Sequence, residues 1–207
     1  MARNNKYKTI KVHPWTIVAI LGFIAAIVLL IIFTSPNDQR RLYDSFRASE
    51  REFNELIDTN KFDRNHAFSS ISESQLLRQI ARDELVIVFL GNPNDQNSFH
   101  AIQDVNGRFR GFSVPGGETV LPSMLYSENI IRTIRYLRIE QPGIESLVER
   151  INDRLNEDSD LVTTTNVPTL LAFRNNELIA EVTVLVGVQG IRNIRDFYIE
   201  VFEFMTE

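Results

Sequence analysis

An apolar run leads directly into a polar loop in the segment Asp83-Glu-Leu-Val-Ile-Val-Phe-Leu-Gly-Asn-Pro-Asn-Asp-Gln-Asn-Ser-Phe99. Residues 85–90 are all apolar and rich in β-branched side chains, and Gly91 and Pro93 bound them. A run this short predicts a strand that is buried on both faces of a sheet. Folds that alternate strands and helices usually place their functional residues in the loop at the carboxyl end of such a strand. The loop is therefore the first candidate site.

The candidate loop is polar and turn-forming, and it consists of Asn92, Pro93, Asn94, Asp95, Gln96 and Asn97. It contains no nucleophile and no obvious set of metal ligands. We therefore expect no catalytic residue, no cofactor and no metal at this position.

A second feature is the apolar segment from Trp15 to Phe33, which contains no charged residue. The hydrocarbon core of a bilayer is roughly 30 Å thick and needs about 20 residues of helix to cross it. Trp15 lies at one end, where an indole favours the headgroup layer. The pattern predicts a transmembrane signal-anchor helix over residues 15–34, with residues 15–33 in the lipid bilayer. The alternative is a buried core helix of a soluble protein.

The tail before this segment, residues 1–14, is basic and contains Arg3, Lys6, Lys8 and Lys11. No cleavage site of the small-x-small kind follows Phe33, and the chain has no cysteine for lipid attachment, so an uncleaved anchor is expected. The basic tail favours a cytoplasmic amino terminus, although three arginines lie close to the other end, Arg40, Arg41 and Arg47. We expect a single-pass protein of the cell membrane, with an extracytoplasmic carboxyl-terminal domain.

Charge and cysteine content exclude several classes of function. The residues after the tail contain 18 basic and 27 acidic side chains. This acidic balance argues against a nucleic-acid partner and against electrostatic adhesion to anionic lipid. The chain has no cysteine, so it can form no disulfide and can carry out no thiol exchange.

Residues 35–66 are predicted to form an amphipathic helix and a polar connector. Apolar residues recur at helical spacing over residues 37–58, at Leu42, Phe46, Phe53 and Leu56. This stripe must be buried against the protein's own domain, against a partner helix, or against a second copy through self-association.

Residues 67–207 are predicted to form one compact α/β domain. The spacing predicts a strand at 68–71, a helix from the capping box at Ser72 to Arg82, the central strand, a helix from Phe99 to 106–107, an irregular insert at 107–122, a strand at 130–139, a helix at 143–156, strands at 167–173 and 177–186 joined by a tight turn, and a closing helix from Ile191.

This order of elements resembles the thioredoxin fold. The segment Asn166-Val-Pro-Thr-Leu-Leu-Ala-Phe-Arg-Asn-Asn-Glu-Leu178 resembles the strand and hairpin of that family, in which the proline is cis and packs beside the active-site loop. Aligning Phe89-Leu-Gly-Asn-Pro93 with the family's central strand places Asn94 and Asn97 where the family has Cys-x-x-Cys.

Within the thioredoxin-like superfamily, the pattern of apolar and polar residues most resembles that of the short, membrane-associated bacterial proteins described as bacteriocin transport accessory proteins. The similarity rests on Phe68-Ser-Ser-Ile-Ser-Glu-Ser-Gln-Leu76 followed by Val86-Ile-Val-Phe-Leu-Gly91. The insert at 107–122 departs from the long second helix that the family usually has.

The resemblance implies a thioredoxin-like domain without redox activity, because an amide cannot become the thiolate that attacks a disulfide. In the family a substrate peptide lies along the residue before the cis-proline, which is Val167 here. We therefore expect a binding or transport accessory module for another membrane or exported protein. The expected surface comprises the loop residues Asn92, Pro93, Asn94, Asp95 and Asn97 with Val167 and Pro168, extended by Phe109 and Phe112.

Two other hypotheses stay open at this stage. One is a non-redox enzyme or accessory factor that uses the cleft near Asp95 and His100. A metal site of those residues with Asp104 is disfavoured, because no third ligand at suitable spacing follows. The other is that the helix at 37–58 binds the partner and the globular domain is a passive head.

Overall fold

A computed structural model describes Trp15, residues 20–24, residues 37–113 and residues 119–206. The chain divides into two compact units, Met1–Asn37 and Asp38–Glu207. In the first unit Trp15 and residues 20–24 are helical. The predicted tail at 1–14 and most of the predicted span at 15–34 lie outside the described residues. No helix within the described residues is long and apolar enough to cross a membrane.

The second unit is a mixed α/β structure. Its elements, in chain order, are α1 (Asp38–Ala48), α2 (Glu50–Phe53), β1 (Phe68–Ser70), α3 (Glu73–Ile80), β2 (Val86–Gly91), α4 (Gln96–Arg110), β3 (Phe112–Ser113), β4 (Thr119–Val120), α5 (Met124–Ser127), β5 (Ile134–Arg138), a 3-10 turn (Gln141–Gly143), α6 (Ile144–Asn152), β6 (Thr169–Arg174), β7 (Glu177–Thr183) and α7 (Val188–Thr206).

Five strands form one mixed sheet in the order β1-β5-β2-β6-β7. Strand β5 pairs in parallel with both β1 and β2, whereas β2, β6 and β7 pair in antiparallel fashion. Strand β2 is central, and all six of its residues are buried. The predicted strand with two buried faces is therefore confirmed, and so is a mixed sheet flanked by helices.

Each face of the sheet has its own apolar core. Alternate residues of β2 point to opposite faces, so Ile87 and Phe89 join one core and Val88 and Leu90 the other. Helices α1, α4 and α7 cover the first face, and α3 and α6 cover the second. Helix α3 begins at Ser72 with the predicted capping box.

The amphipathic helix predicted over 37–58 is shorter than expected and is broken in two. Helix α1 ends at Ala48, and the short helix α2 ends where Asn54 adopts a left-handed conformation with φ 53°. The apolar stripe of α1 packs on the domain's own core, since Leu42, Tyr43 and Phe46 all belong to the first cluster. The compact unit Asp38–Glu207 therefore includes this helix.

The predicted insert at 107–122 is partly helix. Helix α4 continues beyond Gly107 to Arg110 and is ended by Gly111, whose φ is 76°. Position 107 favours glycine because Lys61 and Phe112 pack against its backbone and leave little room for a side chain. A Cβ at this position would lie 3.1 Å from the Phe112 ring. After Gly111, the short strands β3 and β4 pair with each other in antiparallel fashion.

Candidate functional site

The loop at 92–97 lies at the edge of the sheet where the parallel strands end. Strands β1, β5 and β2 run in the same direction, so their carboxyl ends meet at this edge, and β6 begins there because it is antiparallel to β2. Pro93 is buried, Asn92 and Asp95 are half-buried, and Asn94 and Asn97 are exposed.

Three hydrogen bonds within the loop fix its shape. The Asp95 carboxylate accepts the Ser98 N–H at 2.7 Å, which makes Asp95 the N-cap of α4. The Asn92 side-chain oxygen accepts the Asn94 N–H at 3.1 Å, and the Ser98 hydroxyl accepts the Asn92 N–H at 3.2 Å. Neither Asn94 nor Asn97 has a side-chain hydrogen bond to the described residues, so the loop presents both amides to solvent.

Val167 and Pro168 lie beside this loop. Leu90 is paired with Thr169 across the antiparallel ladder, so the next residues along each strand bring Gly91 and Asn92 next to Pro168 and Val167. Pro168 is buried and Val167 is half-buried. The Val167–Pro168 peptide bond is cis, as the resemblance implies.

The Val167 backbone is less free than the resemblance implies, and this corrects the expectation. Its N–H points at the Gln141 side-chain oxygen at 3.4 Å, and the Gln141 amide group donates to the Thr165 carbonyl at 2.6 Å. The Val167 carbonyl accepts no hydrogen bond from the part of the chain that the structure describes. A side chain of the 3-10 turn therefore occupies part of the backbone edge that a peptide would use.

The sequence does not predict the exposed apolar loop that follows β7 and ends at Val188, the first residue of α7. Leu185, Val186 and Val188 are 52%, 50% and 71% exposed. The Val184 N–H donates to the Pro168 carbonyl at 2.9 Å, which holds this loop beside Pro168. The apolar spacing predicts residues 184–186 as part of the strand. The strand ends earlier because Pro168 has no N–H with which to continue the ladder.

Phe109 and Phe112 do not extend this surface, which corrects their assignment. Phe109 is 0% exposed, and its ring contacts those of Tyr126 and Tyr198 at centroid distances of 5.3 and 5.6 Å. Phe112 is half-buried, with the Lys61 ammonium 5.5 Å from its ring centroid. Helix α4 has 15 residues, and at 1.5 Å per residue it separates both rings from the loop by roughly 22 Å.

Asp95 and His100, the pair on which the enzyme hypothesis depends, are both engaged elsewhere. Asp95 caps α4, and the His100 Nε2 lies 2.7 Å from the Glu55 carboxylate. No hydrogen bond or ion pair joins the two residues in the described ranges. Asp104 pairs with Lys61 at 2.8 Å. Among the described residues no group of three or more His, Asp or Glu side chains could hold a metal ion.

Tyr136, on β5, holds the end of β2 in place next to the candidate loop. Its hydroxyl donates to the Gly91 carbonyl at 3.1 Å, where β2 passes into the loop. Burial raises the pKa of Tyr136 well above its usual range, so the hydroxyl remains protonated and continues to donate at any physiological pH.

Comparisons with known proteins add little to this geometry. No family model matches the chain, and no curated protein matches it. Among solved structures, the crystal structure of a designed protein is similar at 15% identity, over 66% of this chain and 95% of that chain, with a TM-score of 0.37. A score that low does not identify a fold.

Proposed function

We propose that this chain is a membrane-anchored, redox-inactive protein of thioredoxin-like fold that binds an extended segment of another membrane or exported protein. The observation that carries the proposal is the position of the candidate loop. Residues 92–97 and the Val167–Pro168 pair come from distant parts of the sequence, and the pairing of Leu90 with Thr169 sets them side by side.

The arrangement of the sheet supports the thioredoxin-like part of the proposal. The central strand has a parallel neighbour on one side and an antiparallel hairpin on the other. Helices cover both faces, and the closing helix α7 follows the hairpin.

The chemistry of the surface supports binding rather than thiol exchange. The chain has no cysteine, and the side chains at the two equivalent positions, Asn94 and Asn97, are amides that form no thiolate. The surface offers the Val167 carbonyl, which accepts no hydrogen bond from the described residues, and an adjacent apolar loop at Leu185, Val186 and Val188. Backbone pairing with flanking apolar contacts is a common way of recognising an extended peptide.

The proposed anchor supports the choice of partner. An apolar segment at 15–33 after a basic tail would hold the domain at the membrane, outside the cytoplasm. The partner is then another membrane protein or an exported protein, and the role is that of an assembly or transport accessory module.

The test is site-specific photo-crosslinking in the source cells. A photoreactive amino acid is placed at Asn94, at Val188 or, as the matched control, at Met124, which is 57% exposed beyond the far end of α4. The proposal expects Asn94 and Val188 to capture the same protein, and Met124 not to capture it. The same products from all three positions, or none from Asn94 and Val188, would refute the proposal.

A further inference from the structure

A cavity of about 260 Å³ continues the candidate surface across the edge of the sheet. Helix α1 forms one wall with Arg41 and Ser45, and the end of β5 forms another with Tyr136 and Arg138. Pro93 of the candidate loop lines it as well. The cavity and the loop are therefore parts of one continuous surface.

More basic than acidic side chains line the cavity. Arg41 and Arg138 are exposed, and neither guanidinium makes a hydrogen bond or ion pair within the described ranges. One acidic side chain also lines the cavity, that of Asp38, and its carboxylate already accepts the Ser70 N–H at 2.5 Å. Since Asp38 offsets one of the two arginines, the side chains that line the cavity keep one positive charge, which favours an anionic group there.

The edge of the sheet thus changes character along its length. At the β7 and β6 end it is apolar, with Leu185, Val186 and Val188 beside Pro168. At the β5 and β1 end it is cationic, with Arg138 and Arg41. The loop at 92–97 lies between the two ends because β2 lies between β6 and β5.

We infer that Arg41 and Arg138 form a subsite for a side-chain carboxylate of the extended segment that binds at Val167. A guanidinium matches a carboxylate because its planar N–H groups can donate two parallel hydrogen bonds. Strand β6 is two strands from β5, so at roughly 4.8 Å between strands the arginine end lies about 10 Å from Val167. An extended chain covers that distance in about three residues.

The bound segment is therefore apolar where it meets the β7 loop, and acidic about three positions from the residue that contacts Val167. This inference rests on the proposed function, since it assigns the chemistry of the partner that the same surface would bind.

The test is selection of random nonapeptides displayed on phage by the full chain in mild detergent. The inference expects selected peptides to be enriched in Asp or Glu at one position. A synthetic peptide of the selected sequence should bind roughly tenfold more tightly than its amide version, with Gln or Asn replacing the acid. The preference should weaken when salt is raised from 50 to 500 mM, because salt screens exposed charges.

The matched variants are Arg41→Gln with Arg138→Gln, and Arg47→Gln as the control. Arg47 is on the same helix but pairs with Glu50 at 3.9 Å and lines a different depression. The acid preference should disappear in the double variant and persist in the control, with unchanged urea unfolding midpoints. Arg138→Glu should shift the preference toward a lysine-containing peptide.

The outcomes separate the subsite from the proposed function. Suppose that the selected peptides bind Val188→Ser more weakly than the wild type. If they then show no preference for an acid, or if the preference persists in the double variant, the subsite is overturned and the proposed function stands. Failure to select any peptide, or peptides whose binding Val188→Ser leaves unchanged, would overturn the proposed function and the subsite with it.

Discussion

Replacing Phe46 with alanine should reduce the free energy of unfolding of the unit Asp38–Glu207 by about 3–5 kcal/mol, the usual range for a buried phenylalanine. The ring is fully buried and contacts Phe62 and Tyr136 edge-on, at centroid distances of 6.0 and 5.8 Å. Each such pair adds about 0.5–1.5 kcal/mol to the value of the buried area. Since domains are stable by only about 5–15 kcal/mol, the loss should be a large part of the total.

The assay is urea unfolding of the full chain in mild detergent, followed by far-UV circular dichroism. The sole tryptophan is Trp15, outside the unit, so tryptophan fluorescence would not report on it. At about 2–4 °C per kcal/mol for a unit of this size, the melting temperature should fall by roughly 6–20 °C. The matched control is Leu56→Ala, because Leu56 is 83% exposed and should change stability by less than about 0.5 kcal/mol.

A loss below about 1 kcal/mol in Phe46→Ala, or a loss equal to that in Leu56→Ala, would show that the Phe46 ring does not contribute to the core. Helix α1 would then not belong to the folded unit in solution. The hypothesis that the helix at 37–58 binds a partner or a second copy would become the better account of its apolar stripe.

Four further predictions concern the site and its supports. Asp95→Ala should cost about 1 kcal/mol by removing the cap of α4, measured by the same urea assay. Asn106→Leu should cost roughly 2–5 kcal/mol, since the Ala67 N–H (2.8 Å) and the Lys61 carbonyl (2.6 Å) both lose their partner. Burial lowers the pKa of His66 below its ordinary value of 6.5. The unfolded chain therefore takes up the proton at a higher pH than the folded chain. The stability that this difference supplies is fully present above about pH 6.5 and is lost as the pH falls below it. His66→Gln should lose less stability than the wild type between pH 7.5 and 5.5, and an identical loss would contradict this. Gln141→Ala should raise the affinity for the selected peptides in an anisotropy titration, because its amide no longer has to leave the Val167 edge; an unchanged or weaker affinity would show that Gln141 does not compete there.

The parts of the fold that depend on local chemistry could be predicted. Strand β2 is a short apolar run between a polar turn and Gly91, and the Ser72 capping box is a local pattern that the structure reproduces. The sequence places Phe109 outside the helix because Gly107 is typical of a helix end. The apolar spacing from Phe99 in fact continues through the glycine to Phe109, which places that ring in the core.

The parts of the site that depend on distant residues could not be predicted. Gln141 reaches the Val167 edge across 26 positions of sequence, and no local pattern marks that contact. The end of β7 is likewise set by Pro168, a residue of its partner strand. A strand boundary fixed by its neighbour leaves Leu185 and Val186 outside the ladder, although their sequence continues the apolar run.

The contact between Gln141 and the Val167 edge also bears on what would give the proposed site its specificity. A segment that pairs with the Val167 edge replaces the hydrogen bonds of the Gln141 side-chain amide with those of its own backbone amide. Each such bond is worth only about 0.5–1.5 kcal/mol net, so the exchange gives little affinity. A millimolar complex already requires about 4 kcal/mol. Affinity must then come from the apolar loop at Leu185, Val186 and Val188 and from the two arginines, so side chains rather than backbone would select the partner. With the proposed anchor, contacts this few would favour a partner in the same membrane, because tethering would supply an effective concentration in the millimolar range.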